Sequence, residues 1–108
     1  MRTVELLQYT LKAGTGREFH QIMVEESIPL HRDVGIDIIA FGNSMHDEDS
    51  YFLIRAYDNL EHLDASQKAF YLSDAWRLGP RVAIIDRIQA SVKSVIMLTD
   101  TVTDGLRK

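Results

Sequence analysis

Two polar residues on the first predicted strand and two on the third have the types and spacing to form one site. Glu5 and Tyr9 have the same parity along their strand, as Arg55 and Tyr57 have along theirs, so each pair projects from one sheet face. If the strands are neighbours, a carboxylate, two phenols and a guanidinium share an apolar pocket, where they could orient a polar ligand or tune a proton transfer. The alternative is that Glu5 and Arg55 form a structural ion pair at a barrel mouth or subunit seam.

Two further side chains are candidates for the same pocket. His31 follows Pro29 on a predicted helix and could act as a base, because its ordinary pKa lies near neutrality, or it could simply end the helix. Trp76 is the largest apolar side chain, and it could wall a ligand pocket or lock its helix onto the sheet. The predicted cavity residues are therefore Glu5, Tyr9, His31, Arg55, Tyr57 and Trp76.

The sequence predicts neither a metal site nor a bound cofactor. His20 and His31 lie about 16 Å apart along one helix, so they cannot share an ion. His46 stands in an acidic run whose spacing matches no calcium or zinc pattern, which favours a solvated turn. His62 falls in the first turn of a predicted helix and is expected at the surface. The absence of cysteine from the sequence excludes thiol catalysis and thiolate ligands.

Four strands and two helical regions must position these residues. Runs of β-branched and aromatic residues, bounded by turn-forming residues, predict strands at 4–11, 36–43, 51–57 and 91–98. The first helical region lies between the first two strands. The second begins at Asp58 or Asn59, and a further helical segment opened by Ser73 and Asp74, with a break at Gly79 and Pro80, leads to the last strand.

The first helical region carries its own start and stop signals. Thr15 and Glu18 have the spacing of a capping box, in which each side chain accepts a hydrogen bond from a free backbone N–H of the first turn. Pro29 predicts a kink, and Gly35 predicts the end of the helix, because glycine adopts the left-handed conformation without steric cost. Apolar spacing places the buried stripe at Phe19, Met23, Glu26, Leu30 and Val34.

The order of elements is β, α, β, β, α, β. Two right-handed crossovers joined by a hairpin give a ferredoxin-like α+β fold, a four-stranded antiparallel sheet with both helices on one face. The predicted domain spans residues 1–98, and residues 99–108 form a polar C-terminal tail that is mobile or packed on a partner.

Both faces of the predicted sheet are apolar, which predicts a homodimer. A sheet with one wet face should alternate apolar and polar residues, and these strands do not. The helices can cover only one face, so a second copy packed sheet to sheet would cover the other across a two-fold axis. The face left for the partner is predicted to carry Leu7, Tyr9, Leu11, Ile39, Phe41, Leu53, Tyr57, Val95 and Met97.

Composition excludes several classes of protein. The chain has 108 residues, which fits one domain. Its formal net charge of −4 and its scattered lysines and arginines argue against nucleic acid as a partner. It has no apolar run near the roughly 18 residues that a membrane span needs, and no signal-peptide pattern at its start. A cytoplasmic location is therefore expected.

Several segments resemble the NIPSNAP family of the dimeric α+β barrel superfamily. The matching stretches are residues 5–14 (ELLQYTLKAG), Phe19, 25–30 (EESIPL), Gly35, 56–60 (AYDNL) and 73–76 (SDAW). The resemblance covers most of residues 4–98. It implies the fold, a dimer and a cavity between sheet and helices, but no agreed reaction. The sequence itself fits either a dimer or a higher assembly of dimers.

Three functions follow as hypotheses. The first is a homodimer whose cavity holds a small apolar molecule. The second is a cofactor-independent oxygenase or isomerase acting on a small aromatic or apolar substrate, since related barrels include such enzymes and these reactions need a dry pocket with one or two polar groups. The third is a purely structural dimer. Haem chemistry is disfavoured, because no histidine follows Trp76 in the segment 77–80 where a haem-degrading relative would carry one.

Overall fold

The structure, a computed structural model, describes residues 1–107. A π-helical turn separates the first two α-helices, and a short sixth helix follows the last strand. The elements in chain order are β1 (Arg2–Leu11), α1 (Gly16–Ile22), the π-helical turn (Met23–Ser27), α2 (Ile28–Asp33), β2 (Asp37–Asn43), β3 (Ser50–Tyr57), α3 (Leu60–Leu72), α4 (Asp74–Arg77), α5 (Arg81–Arg87), β4 (Ile88–Leu98) and α6 (Asp100–Gly105).

The four strands form one antiparallel sheet in the order β2-β3-β1-β4. This is the order that two interleaved βαβ units produce, so the ferredoxin-like prediction is confirmed. The two central strands pair in a register that sets Glu5 opposite Arg55 and Leu7 opposite Leu53. Within residues 1–107, no helix is both long and apolar enough to cross a membrane.

The first helical region does not begin or continue as predicted. Thr15 makes no capping bond; its hydroxyl donates to the Lys12 carbonyl at 2.7 Å. The carboxylate of Asp49 takes the capping role instead, accepting from the backbone N–H groups of Gly14 at 2.9 Å and Gly16 at 2.8 Å. Gly16 is required there, since a Cβ would lie 1.9 Å from the Glu48 carbonyl oxygen.

A π-helical turn stands where the sequence predicts a kink. Pro29 has no N–H, and its ring would collide with the carbonyl of residue 25 in a regular α-helix. The wider turn relieves this conflict, and the Ile28 N–H donates to the carbonyl of Met23, five residues back. The extra residue shifts the buried positions by one, so the predicted stripe is wrong beyond Met23. Glu26 and Val34 are exposed, Leu30 is half-buried, and the buried residues are Ser27, Ile28 and His31.

The sheet face that packs against α1–α5, called the inner face, is not the one predicted. Four residues predicted for the partner-facing side lie instead in the main core with Phe19: Leu7, Leu11, Leu53 and Tyr57. Tyr9 packs against that core. The apolar patterns of the two faces are nearly equal, so the sequence could not decide which face the helices take. Only Ile39 of the predicted set lies in the core of the opposite face, because β2 slips register between Ile38 and Ala40.

The opposite, outer face is partly covered by the chain itself. Val4, Ile39 and Ala56 are buried there, and α6 contacts β1. Thr99 caps α6 by accepting from the Val102 N–H at 3.2 Å. Both terminal nitrogens of Arg107 lie 2.8 Å from the Asp37 carboxylate. Residues 100–105 therefore form a docked helix, where the sequence predicts a polar tail.

Candidate functional site

The strand register brings the four polar strand residues together on the inner face. Glu5 pairs directly with Arg55, and Tyr9 and Tyr57 project from the same face as these two. Glu5 and Arg55 are 0% and 1% exposed. The predicted placement on one face is thus confirmed, and it lies beneath the helices.

Arg55 and Glu5 form a buried ion pair. Glu5 Oε1 accepts from Arg55 Nε at 2.7 Å and lies 2.6 Å from Arg55 Nη2. The remaining terminal nitrogen, Nη1, donates to the Tyr71 hydroxyl at 2.8 Å and lies 3.0 Å from His31 Nε2. The guanidinium is therefore held on three sides, by a carboxylate, a phenol and an imidazole.

The second carboxylate oxygen of Glu5 has partners of its own. Gln67 Nε2 donates to Glu5 Oε2 at 2.8 Å and to the Tyr57 hydroxyl at 3.2 Å. The ammonium of Lys93, on β4, lies 3.7 Å from the same oxygen, and the Lys93 side chain is 51% exposed. We call the connected group the polar cluster; it consists of Glu5, His31, Arg55, Tyr57, Gln67 and Tyr71.

His31 enters the polar cluster as a neutral acceptor. Its Nδ1 lies 2.7 Å from the Ser27 carbonyl and must carry a proton to donate to it, which leaves Nε2 to accept from Arg55. Burial lowers the pKa of His31 to about 4, with the Arg55 charge acting in the same direction. The imidazole therefore orients the guanidinium and is uncharged at neutral pH.

Acidification is expected to destabilise the fold through His31. Because the pKa of His31 lies below its unfolded value, the unfolded chain binds the proton first, and stability falls as the pH drops from 6.5 towards 4. Between pH 7.5 and pH 5 the loss should be about 2 kcal/mol. Urea unfolding at several pH values measures it.

The matched variant for this measurement is His31→Gln, whose side chain can still accept from Arg55 but does not titrate. Its unfolding free energy should lack most of the dependence between pH 5 and pH 7.5. An equal slope in both proteins would assign the dependence to other groups.

The tyrosines and Trp76 complete the surroundings of the polar cluster. Burial raises the pKa of Tyr9 and of Tyr57, so both phenols stay protonated at neutral pH. Trp76 is buried and packs edge-on against Tyr71, with ring centroids 5.3 Å apart. It thereby fixes the phenol that accepts from Arg55. All six predicted residues lie in or beside one cluster.

Sequence reasoning missed Gln67, Tyr71 and Lys93. Gln67 and Tyr71 lie four residues apart and so share a face of α3. Gln67 and Tyr71 also share this face with the apolar Leu63 and Phe70. Polar residues in a buried stripe need hydrogen-bond partners, so this spacing could have indicated that they belong to the site. Lys93 faces the site only through the pairing of β4 with β1, which sets it opposite Leu7.

Of the other histidines, only His62 touches the polar cluster in the described residues, packing edge-on against Tyr57 with ring centroids 5.6 Å apart. His20 Nδ1 is 2.6 Å from the Tyr51 hydroxyl. His46 bonds to Ser44 in the β2–β3 loop, and His62 Nδ1 accepts from the Asp58 N–H at 3.0 Å. In the part of the chain that is described, no three His, Asp or Glu side chains converge as a metal site would require.

Two surfaces near the sheet are open. On the inner face, β4 extends beyond the helices, and its Val95 and Met97 are 39% and 67% exposed beside Lys93. On the outer face there is a groove of about 620 Å³. Its lining includes Leu6, Gln8, Phe52, Ile54, Val92 and Ser94.

Comparison with known proteins gives structural relatives only. No protein-family model matches the chain, and no curated protein matches it in sequence. A NIPSNAP family protein from Agrobacterium tumefaciens superposes with a TM-score of 0.82 at 17% identity, over 92% of this chain and 87% of the other. A NIPSNAP-like domain protein from Burkholderia xenovorans gives 0.82 at 19% identity, over 92% and 86%. The chain has the fold of these proteins, as its sequence resemblance implied.

A more distant structural relative is an enzyme. A mutant of SnoaB, a cofactor-independent oxygenase from Streptomyces nogalater, superposes with a TM-score of 0.66 at 11% identity, over 92% of this chain and 94% of the other. At this identity the likeness concerns the fold alone.

Proposed function

We propose that this NIPSNAP-like chain is a homodimeric protein that binds a small molecule at the polar cluster. The observation that carries the proposal is the buried Arg55–Glu5 pair, which is completed by His31, Gln67 and Tyr71 and lies next to the open part of β4. A cytoplasmic location remains part of the proposal.

Stability alone does not account for a buried ion pair. Removing two charges from water is costly, and apolar residues of similar volume often give an equally stable or more stable protein. Here the side-chain atoms of Arg55 and Glu5 are 2% and 1% exposed, respectively, so the desolvation of both charges is nearly complete. Networks of this kind, with shifted pKa values, occur preferentially at functional sites, and this supports a role in binding.

The exposed surface of β4 beside the polar cluster indicates the chemistry of the ligand. Arg55 and Lys93 carry two positive charges against the single negative charge of Glu5, so a polar or anionic head group is favoured there. The exposed Val95 and Met97 offer apolar contact beside it. We infer a small molecule with an apolar or aromatic body and one polar head.

The protonation states favour binding over proton transfer. His31 is neutral, with its free lone pair directed at Arg55, and a pKa of about 4 makes it a poor base at neutral pH. Tyr9 and Tyr57 have raised pKa values and hold their protons. For these reasons we place an oxygenase or isomerase activity second.

The dimer is inferred from the outer face. Its groove contains Val92 of β4, 67% exposed, beside Leu6, Phe52 and Ile54. Ile96, further along β4 on the same face, is 39% exposed. A second copy related by a two-fold axis would cover this surface with an identical one. That arrangement would leave the polar cluster, on the other side of the sheet, free to bind a ligand in each subunit.

A bound metabolite is the first expected result. Native mass spectrometry of the purified protein should show added mass that denaturation releases. The double variant Glu5→Leu/Arg55→Met should remain folded and lose this mass, whereas Arg17→Met/Glu48→Leu, which removes an exposed ion pair of 3.8 Å, should retain it. Unaltered uptake by the first variant would exclude the polar cluster as the site, and a protein with no ligand at all would favour the purely structural dimer.

A further inference from the structure

A second groove lies at the free edge of the sheet, away from the polar cluster. Strand β2 has only β3 as a neighbour, and its other edge faces the helical segment of α1, the π-helical turn and α2. Between them is a groove of about 540 Å³, within the range of small-molecule sites. Its lining includes His20, Val24, Arg32, Ile38, Phe41 and Arg107. We call it the edge groove.

One cation of the edge groove has no partner. The side chain of Arg32 is exposed and forms no hydrogen bond or ion pair with any of residues 1–107. Arg107, in contrast, is committed to Asp37 at 2.8 Å and to Asp104 at 3.1 Å. A planar guanidinium with its donors free is suited to bind a carboxylate through two parallel hydrogen bonds.

Polar and apolar side chains both line the rest of the edge groove. Ile38 is buried and Phe41 partly buried along its floor, and Val24 is 47% exposed in the helical wall. His20 bounds the groove near Phe41, with ring centroids 6.1 Å apart, and its Nδ1 is occupied by Tyr51. An occupant would therefore contact the apolar side chains of Val24 and Phe41 and one free cation, Arg32.

Two backbone irregularities border the groove, one in its helical wall and one in its floor. Val24 belongs to the π-helical turn, and the floor contains the register slip between Ile38 and Ala40. Turns and bulges of this kind occur often at functional sites. The bulge also breaks the regular row of strand donors and acceptors, so β2 is a poor template for pairing with an extended peptide.

We propose that the edge groove binds an amphiphilic monocarboxylate. The carboxylate is held by Arg32, and the apolar chain lies over Val24 and the β2 floor. This site is independent of the proposed function, since its lining residues are distinct from those of the polar cluster. The free guanidinium selects a carboxylate over an uncharged head group.

Titration of the full chain with octanoate tests the proposal, followed by two-dimensional NMR and calorimetry. Octanoate should shift the signals of Val24, Ile38 and Phe41, and 1-octanol should bind at least tenfold more weakly. Arg32→Gln should weaken octanoate binding at least tenfold. Arg17→Gln, an exposed arginine of α1 outside the groove, should bind as the parent does.

A second variant separates binding from folding. Val24→Asp changes an exposed residue, so the fold should persist while octanoate binding is lost. The proposal is overturned if Arg32→Gln binds octanoate as the parent does, or if the shifts map to the outer-face groove around Ile54 and Val92. Tighter binding of an apolar tetrapeptide with a free C-terminal carboxylate would overturn it in favour of a peptide site.

Discussion

Arg55→Met alone is expected to lower the free energy of unfolding by about 3–5 kcal/mol, since it leaves Glu5 buried without its countercharge. In the double variant Glu5→Leu/Arg55→Met no charge is stranded. His31 and Tyr71 still lose a donor in that variant, at a cost of about 1–3 kcal/mol for a buried group. The apolar replacements offset part of this cost, so the free energy of unfolding of the double variant should lie within about 2 kcal/mol of the parent's.

Chemical unfolding at one fixed protein concentration, followed by Trp76 fluorescence and circular dichroism, measures both variants. Arg17→Met serves as the control, because it removes an exposed ion pair and should change nothing measurable. If the double variant is as unstable as Arg55→Met, the pair is needed for the fold itself. That outcome would remove the reason for assigning it to ligand binding.

Val92→Asp is expected to dissociate the dimer. Val92 is 67% exposed in the outer-face groove, so the subunit should keep its fold. In a two-fold dimer the new carboxylate occurs in both copies, and the interface removes each carboxylate from water. Unfavourable charges at an interface cost several kcal/mol of binding free energy. Three kcal/mol corresponds to roughly a hundredfold weaker association, so sedimentation velocity at micromolar concentration should show monomers.

Val34→Asp is the matched control for this experiment. Val34 is 59% exposed beyond the end of α2 and is not part of the outer face. Its dimer should be as tight as that of the parent. A parent chain that sediments as a monomer, or a Val92→Asp variant that remains dimeric, would contradict the interface.

The sequence was sufficient for the fold because the signals for element order are local. Turn residues and β-rich runs located all four strands, and Gly35, at φ +80°, ended the helical region as predicted. Which face the helices cover is decided by tertiary packing. Leu6 and Ile54 lie on one face, and Leu7 and Leu53 on the other. Hydrophobicity alone therefore gives no preference between the faces, and the prediction of the helix-covered face is wrong.

The candidate site was only partly accessible from the sequence for a similar reason. Strand parity is a rule of period two, so Glu5 and Arg55 could be placed together as soon as the strand order was known. Gln67 and Tyr71 reach them from a helix whose rotation about its axis depends on packing. No short-range pattern specifies that rotation.

The π-helical turn keeps the site intact although the helical region holds one residue more than a regular helix would. Each residue of an α-helix advances the side chains by about 100° around the axis. The same residues wound as a regular α-helix would therefore rotate His31 by about that angle, away from the guanidinium it now contacts. Deleting one residue from Met23–Ser27 would restore an ordinary turn and leave His31 directed at Arg55.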